Sequence, residues 1–211
     1  VEAITASLDG ETQSFLLHGV TGSGKTEVYL HVVRQALLRG KGAILLVPEI
    51  ALTPQMVSWF RSRFGDTAAV LHSGLSQGEK YDEWRRIRRG EARVVIGARS
   101  AVFAPVSSLG LILIDEEHES TYRSDTHPCY DARQVARERC RLEHASLVLG
   151  SATPSIDTYA RTLHGQNVLL EMRERVAGRP LPEVEIVDMR KELVSGNRSI
   201  FSRALHDALE E

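Results

Sequence analysis

The run Gly19-Val20-Thr21-Gly22-Ser23-Gly24-Lys25-Thr26 limits what this chain can be, because it meets the GxxxxGK(S/T) pattern at every fixed position. Glycines let such a backbone turn tightly and aim successive N–H groups at a phosphate. The pattern assigns nucleotide phosphate contacts to Thr21, Gly22, Ser23, Gly24, Lys25 and Thr26, with the Lys25 amine reaching the β- and γ-phosphates and the Thr26 hydroxyl ligating Mg²⁺. The four fixed positions coincide by chance in roughly one chain in a hundred of this length. Context narrows the reading further: Phe15-Leu16-Leu17 reads as a short buried strand, and Val28, Leu30, Val32, Val33, Ala36 and Leu37 form a helical apolar face. Strand, loop and helix follow in the order the motif demands, and the helix N-terminus favours the same anion.

The apolar runs beyond the loop are continuous rather than alternating, at Ala43–Val47, Ala68–Leu71, Arg93–Ile96, Leu111–Ile114, Leu147–Leu149 and Val168–Leu170. Strands of that kind are buried on both faces. The expected fold is α/β, a P-loop lobe with a mostly parallel sheet and helices on both faces. Helix starts are written locally: Thr53 before Pro54, Thr153 before Pro154, Ser76 with Glu79 as a capping box ahead of Tyr81, Trp84 and Ile87, and Asp131 capping a helix to about Arg141. Ligands of such a sheet gather at the carboxyl ends of its strands.

Past Glu171 the character changes. Residues 173–182 read as a linker, Val184–Val187 as a strand, Ser195-Gly196-Asn197 as a turn, and Ser199 or Ser202 as the opening of a last helix. The expected division is a nucleotide-binding lobe over 1–174, then a linker and the beginning of a second lobe over 175–211. The 211 residues carry a net charge of −2, so a nucleic-acid partner would need a local basic surface. Two cysteines fit neither a zinc site nor a disulfide framework. No apolar run reaches the roughly 20 residues of a membrane span, so no membrane partner is expected.

The Leu111–Ile114 strand runs directly into Asp115-Glu116-Glu117-His118. Carboxylates rigidly delivered at a strand end supply what phosphoryl transfer needs. Asp115 is placed to hold Mg²⁺ with Thr26, and Glu116 to deprotonate the attacking water, with Lys25 as its catalytic partner. His118, with two ring nitrogens, suits a relay to a neighbouring segment. The run Arg85, Arg86, Arg88, Arg89 reads as a solvated helix face.

Asp115 to His118, with the phosphate loop before it and Gly150-Ser151-Ala152-Thr153-Pro154 after it, resembles motifs I, II and III of superfamily 2 helicases of the DEAH type. GVTGSGKTEVY at 19–29, LVPEIALTPQ at 46–55, LHSGLS at 71–76 and IGARSAVFAP at 96–105 are similar to the replication-restart (primosomal) helicases. The resemblance implies a RecA-like first motor lobe of an ATP-driven, Mg²⁺-dependent 3′-to-5′ DNA helicase. It also implies single-stranded and forked DNA and replisome or primosome proteins as partners, and a bacterial, cytoplasmic, nucleoid-associated setting. Ser151 and Thr153, with His118, become the segment coupling hydrolysis to DNA movement. Pro48, Glu49, Thr53 and Gln55 fall in the first DNA-facing segment, and Gly97, Arg99 and Ser100 in the next.

Between His118 and Asp131 the resemblance implies a loop that senses single-stranded DNA through Tyr122, Arg123, Tyr130 and Arg133; aromatic faces stack on any base and arginine assists. Two departures reduce that surface. Cys129 and Asp131 stand where the family commonly has arginine and histidine, and Ala98 where it has threonine. The resemblance also places the adenine-contacting glutamine before Val1, and the second lobe, its arginine finger and a Zn²⁺-binding cysteine cluster after Glu211. Two other classes fit the same residues: a superfamily 2 DNA translocase that does not separate strands, and a non-hydrolysing DNA or replisome docking module.

Overall fold

A computed structural model describes residues 1–175 and 184–210, which fall into two compact units, Val1–Ala177 and Gly178–Glu211. In the first, seven strands form one sheet: β1 (Ser14–Gly19), β2 (Gly42–Leu46), β3 (Ala68–Leu71), β4 (Val94–Gly97), β5 (Leu109–Ile114), β6 (Ser146–Ser151) and β7 (Val168–Met172). Their spatial order is β3-β4-β2-β5-β6-β1-β7, and every pairing is parallel. The β2–β5 pairing aligns Leu46 with Ile114, and β1–β6 aligns His18 with Ser151. The phosphate loop, the acidic run and Ser151 therefore leave the sheet at one edge.

Two cores explain the continuous apolar strands. On one face Phe15, Leu17, Leu45 and Leu113 pack with Ile4, Leu8, Tyr29, Val33 and Phe60, which come from α1 (Glu2–Ser7) and its C-cap Leu8, α2 (Lys25–Leu38) and α3 (Pro54–Phe64). On the other, Leu16, Leu46, Ile112 and Ile114 pack with Ile87, Ala132, Ala136 and Cys140, from α4 (Gln77–Arg88) and α5 (Ala132–Glu143). Neighbouring residues of one strand thus enter opposite cores.

Thr53, Ser76 and Asp131 cap α3, α4 and α5 with their side chains, Ser76 and Glu79 as a full capping box. The Thr153-Pro154 start is corrected: α6 (Ile156–Leu163) begins two residues later, its Ser155 hydroxyl accepting from Thr158 N. Ser155 is also held by a buried carboxylate, a contact unavailable to Thr153. On α4 only Ile87 is buried, whereas Tyr81 and Trp84 are 62% and 38% exposed. The helix lies along β3, the margin strand of the sheet, and buries this one side chain against the core. Arg85, Arg88 and Arg89 are exposed, as a solvated face requires.

In the second unit, 184–188 pair with no strand among the described residues, correcting the Val184–Val187 reading; Val184 and Ile186 are 82% and 93% exposed. The linker positions Gly178, Arg179, Pro180 and Pro182 lie outside the described residues. A helix the sequence reading missed, α7 (Met189–Val194), is capped by Asp188. The last helix, α8 (Arg203–Glu210), opens at Ser202, whose hydroxyl accepts from Leu205 N at 3.1 Å.

Cys140 donates to the Ser146 carbonyl from within the core, and burial pushes its thiol up to about 12. Cys129 is exposed. Since the thiolate is the nucleophile, iodoacetamide at pH 8 should label Cys129 in the native protein, with Cys140 reacting only in denaturant. Rapid labelling at Cys140 under native conditions, read by peptide mass, would contradict this packing.

Candidate nucleotide site and adjoining groove

The phosphate loop joins β1 to α2 through two left-handed glycines, Gly22 at φ 78° and Gly24 at φ 89°, a conformation that costs any side chain with a Cβ. Gly19 is needed for a different reason: a Cβ there would lie 2.6 Å from Ser23 Oγ and 3.2 Å from Lys25 Cγ. Lys25 is 8% exposed, donating to the Gly19 carbonyl at 2.8 Å and lying 3.7 Å from Glu116 Oε1. Ser23 Oγ is buried with no hydrogen-bond partner. An orphaned hydroxyl among the free N–H groups of a helix start is an anion cradle. The residues present therefore fit a triphosphate, with Thr26 half-buried beside it.

Across the loop, Asp115 is tied into the sheet edge by its own N–H, which donates to the Leu46 carbonyl at 2.9 Å. Its Oδ1 accepts from the Tyr29 hydroxyl at 2.9 Å, and its carbonyl accepts from the Tyr122 hydroxyl at 2.6 Å. Burial raises the Asp115 carboxyl above the usual carboxylate range, with the Tyr29 hydrogen bond opposing. Burial, and then the Asp115 charge, pushes the Tyr29 phenol well above its ordinary value, so it remains a donor. Oxygen ligands of this kind suit Mg²⁺. Glu116 has φ 44°, a left-handed conformation unusual for an L-residue that turns the chain sharply at the strand end.

Glu117 points the opposite way and is 0% exposed. Its carboxylate accepts from Ser155 N at 2.6 Å, Ser155 Oγ at 3.1 Å and Thr158 Oγ1 at 2.8 Å. His118 Nδ1 lies 2.8 Å from Ser151 Oγ, which also accepts from Thr153 N at 3.0 Å, and 3.7 Å from Glu116 Oε2. The structure thus brings Lys25, Glu116, His118, Ser151 and the Thr153 backbone into one line of contacts.

Beside this site opens a groove of about 700 Å³, lined by Glu49, His72, Lys80, Arg99, Ser100 and Arg123 among others. Arg99 donates to the carbonyls of Thr121 and Arg123 and lies 5.7 Å over the Tyr130 ring, which in turn meets Phe103 edge-on at 5.0 Å. The Tyr130 loop is therefore bound to the segment after β4. Thr53 and Gln55 are exposed, Thr53 also as the α3 cap, while Pro48 is buried.

Two expected DNA contacts are corrected, Tyr122 because it is buried at the groove wall and Arg133 because it lines another cleft. Tyr122 is 1% exposed, so its ring has no free face for a base; it packs in the core because its hydroxyl finds the Asp115 carbonyl. Arg133 pairs with Asp131 at 2.6 Å and donates to the Glu117 carbonyl at 2.8 Å, lining a separate cleft with Arg137 and Arg161. Asp131, which reduces the loop's positive charge, instead caps α5 and fixes Arg133. The sequence reading missed Tyr29 and the anchoring role of Glu117. Tyr29 had a signal: a polar-tipped aromatic one turn after Lys25 on the apolar face of α2.

A family model described as DEAD/DEAH box helicase matches residues 1–162. The replication restart protein PriA of Bacillus subtilis (strain 168) is 57% identical over 211 residues, 100% of this chain and 26% of that protein. PriA of Synechocystis sp. is 56% identical over 202 residues, 93% of this chain and 24% of that protein. The chain thus spans about a quarter of the length of these relatives. Among solved structures, the Pyrococcus furiosus Hef helicase domain superposes with TM-score 0.58 at 22% identity over 82% of this chain and 37% of that one. RecG bound to a three-way DNA junction gives TM-score 0.58 at 23% identity over 85% of this chain and 23% of that one. At such identities the likeness concerns the fold alone. With the family model covering more than half of its residues, the chain belongs to the DEAD/DEAH box helicase family.

Proposed function

We propose that the chain is the ATP-binding lobe of a DNA helicase that travels 3′ to 5′ and acts in restart of stalled replication forks and primosome assembly. The observation that carries the reading is the line Lys25, Glu116, His118, Ser151, with contacts of 3.7, 3.7 and 2.8 Å, joining the phosphate loop to the coupling segment. In this reading Thr26 and Asp115 would hold Mg²⁺, which would supply positive charge to offset the negative charge of the phosphates. Lys25 exchanges the Gly19 carbonyl and Glu116 for phosphate oxygens. Glu116, released from that contact, orients water and accepts its proton. His118 and Ser151 register the change and pass it to the backbone of Thr153.

The groove beside Arg99, Ser100, Arg123 and Tyr130 takes single-stranded or forked DNA, phosphates meeting the arginines and bases the aromatic edge; Thr53 and Gln55 extend the exposed surface near it. Similarity to PriA relatives supports the assignment to replication restart, replisome and primosome proteins as partners, and a bacterial cytoplasmic, nucleoid-associated setting. Zn²⁺ is assigned to parts of the full-length protein outside this chain. Among the described residues no helix is long and apolar enough to cross a membrane.

The test is strand displacement by the full-length protein. With ATP and Mg²⁺ it should unwind a duplex carrying a 3′ single-stranded tail and leave one with only a 5′ tail intact. DNA-stimulated ATP turnover without strand separation would replace the proposal by a translocase. DNA binding without turnover would leave a docking module.

A further inference from the structure

A buried phenol on the phosphate-loop helix lies outside the line of contacts above. Tyr29, 1% exposed, stands on α2 four residues after Lys25. The side chain of a helical residue leans back over the preceding turn, so the Tyr29 ring runs along the inner face of the phosphate-loop helix. Its hydroxyl reaches Asp115 Oδ1 at 2.9 Å. To get there it passes the backbone of β6 at Gly150: a Cβ at that position would lie 1.7 Å from Tyr29 Oη and 2.9 Å from Cζ. Gly150 directly precedes Ser151, the residue in contact with His118.

We propose that Tyr29 is a positioning residue for the metal, a phenol that fixes the rotation of the Asp115 carboxylate through Oδ1 while lodged in space kept open by Gly150. The proposal rests on the assignment of Asp115 as the Mg²⁺ ligand. One hydroxyl then touches three mechanical parts: the helix that carries the phosphate loop, the strand that ends in the carboxylates, and the strand that leads into the coupling segment. A carboxylate in a buried setting turns toward whichever donor is present, and a fixed donor leaves it in one orientation before metal arrives. The second consequence concerns Gly150. It is a glycine because phenol occupies the volume of its side chain, at a position with no left-handed φ to require one.

The experiment uses the full-length protein and two readouts: Mg²⁺ dependence of ATP hydrolysis, and Mn²⁺ binding in the presence of ADP followed by electron paramagnetic resonance. Tyr29→Phe keeps the ring and removes the donor. It should weaken Mn²⁺ binding and raise the Mg²⁺ concentration for half-maximal turnover, each by about 10-fold, the range set by loss of an outer contact to a metal ligand, while metal-free ADP affinity stays within about twofold.

Gly150→Ala should reproduce the metal defect by displacing the hydroxyl, and should cost less metal affinity in the Tyr29→Phe background than in wild type, a non-additive pair. A merely structural role would lower the melting temperature and move neither metal readout. Wild-type Mn²⁺ binding in both Tyr29→Phe and Gly150→Ala would overturn the positioning role alone. If the wild-type protein, with ADP, held Mn²⁺ no better than an Asp115→Ala variant, the ligand assignment beneath the proposal would fall with it.

Discussion

Replacing Glu116 by Gln in the full-length protein should lower kcat for ATP hydrolysis by about 100-fold or more, the contribution of a positioned general base, while nucleotide affinity stays within a few-fold. The side chains are nearly isosteric, so the left-handed turn at φ 44° is carried equally by either residue. What disappears is the group able to accept a proton from water and the negative charge 3.7 Å from the Lys25 amine. Loss of that charge leaves Lys25 held by the Gly19 carbonyl alone at 2.8 Å, so binding should change little or improve. The signature is therefore a split: turnover collapses and binding does not. Steady-state hydrolysis with and without single-stranded DNA, beside titration of a fluorescent ATP analogue, separates the two. Turnover within threefold of wild type would move the base to another residue.

The parallel sheet was legible because burial on both faces forces unbroken apolar runs, such as Leu111–Ile114, whose members enter two cores alternately. The caps at Thr53, Ser76 and Asp131 were legible because a cap is a local hydrogen bond. Two of the misreadings share one cause, a long-range partner. Ser155 opens α6 in place of Thr153 because the Glu117 carboxylate, 38 residues earlier, holds its N–H and hydroxyl. Tyr122 looked like a stacking platform among polar residues, but the Asp115 carbonyl draws its hydroxyl inward. Trp84 shares a helical face with Ile87, yet α4 meets the sheet near its margin and leaves it 38% exposed. At the site, motif spacing picked out residues that the structure gathers beside the phosphate loop. It did not find Tyr29, since sequence spacing does not show that Gly150 leaves it room.

Glu117→Ala should destabilise the lobe by about 3 kcal/mol or more, because it strands donors as well as removing a contact. The carboxylate is 0% exposed and accepts three hydrogen bonds, from Ser155 N, Ser155 Oγ and Thr158 Oγ1. Each buried donor left unpaired costs about 1–3 kcal/mol, although the two hydroxyls regain part of this by bonding each other, as their 3.0 Å separation allows. For a lobe of this size, 3 kcal/mol corresponds to a fall of roughly 6–12 °C in Tm. Glu117→Gln keeps one acceptor oxygen and turns an amide donor toward a donor, so it should fall between alanine and wild type. The backbone makes the effect more than local: Glu117 N donates to the Gly150 carbonyl at 2.9 Å, and the Glu117 carbonyl accepts from Arg133. Glu117 thus pins the strand end to both α6 and α5, with Glu116 and His118 on either side of the pin. Thermal and urea unfolding of wild type, Gln and Ala should rank in that order, and a Glu117→Ala midpoint shift worth less than 1 kcal/mol would show that the anchor carries little of the lobe's stability.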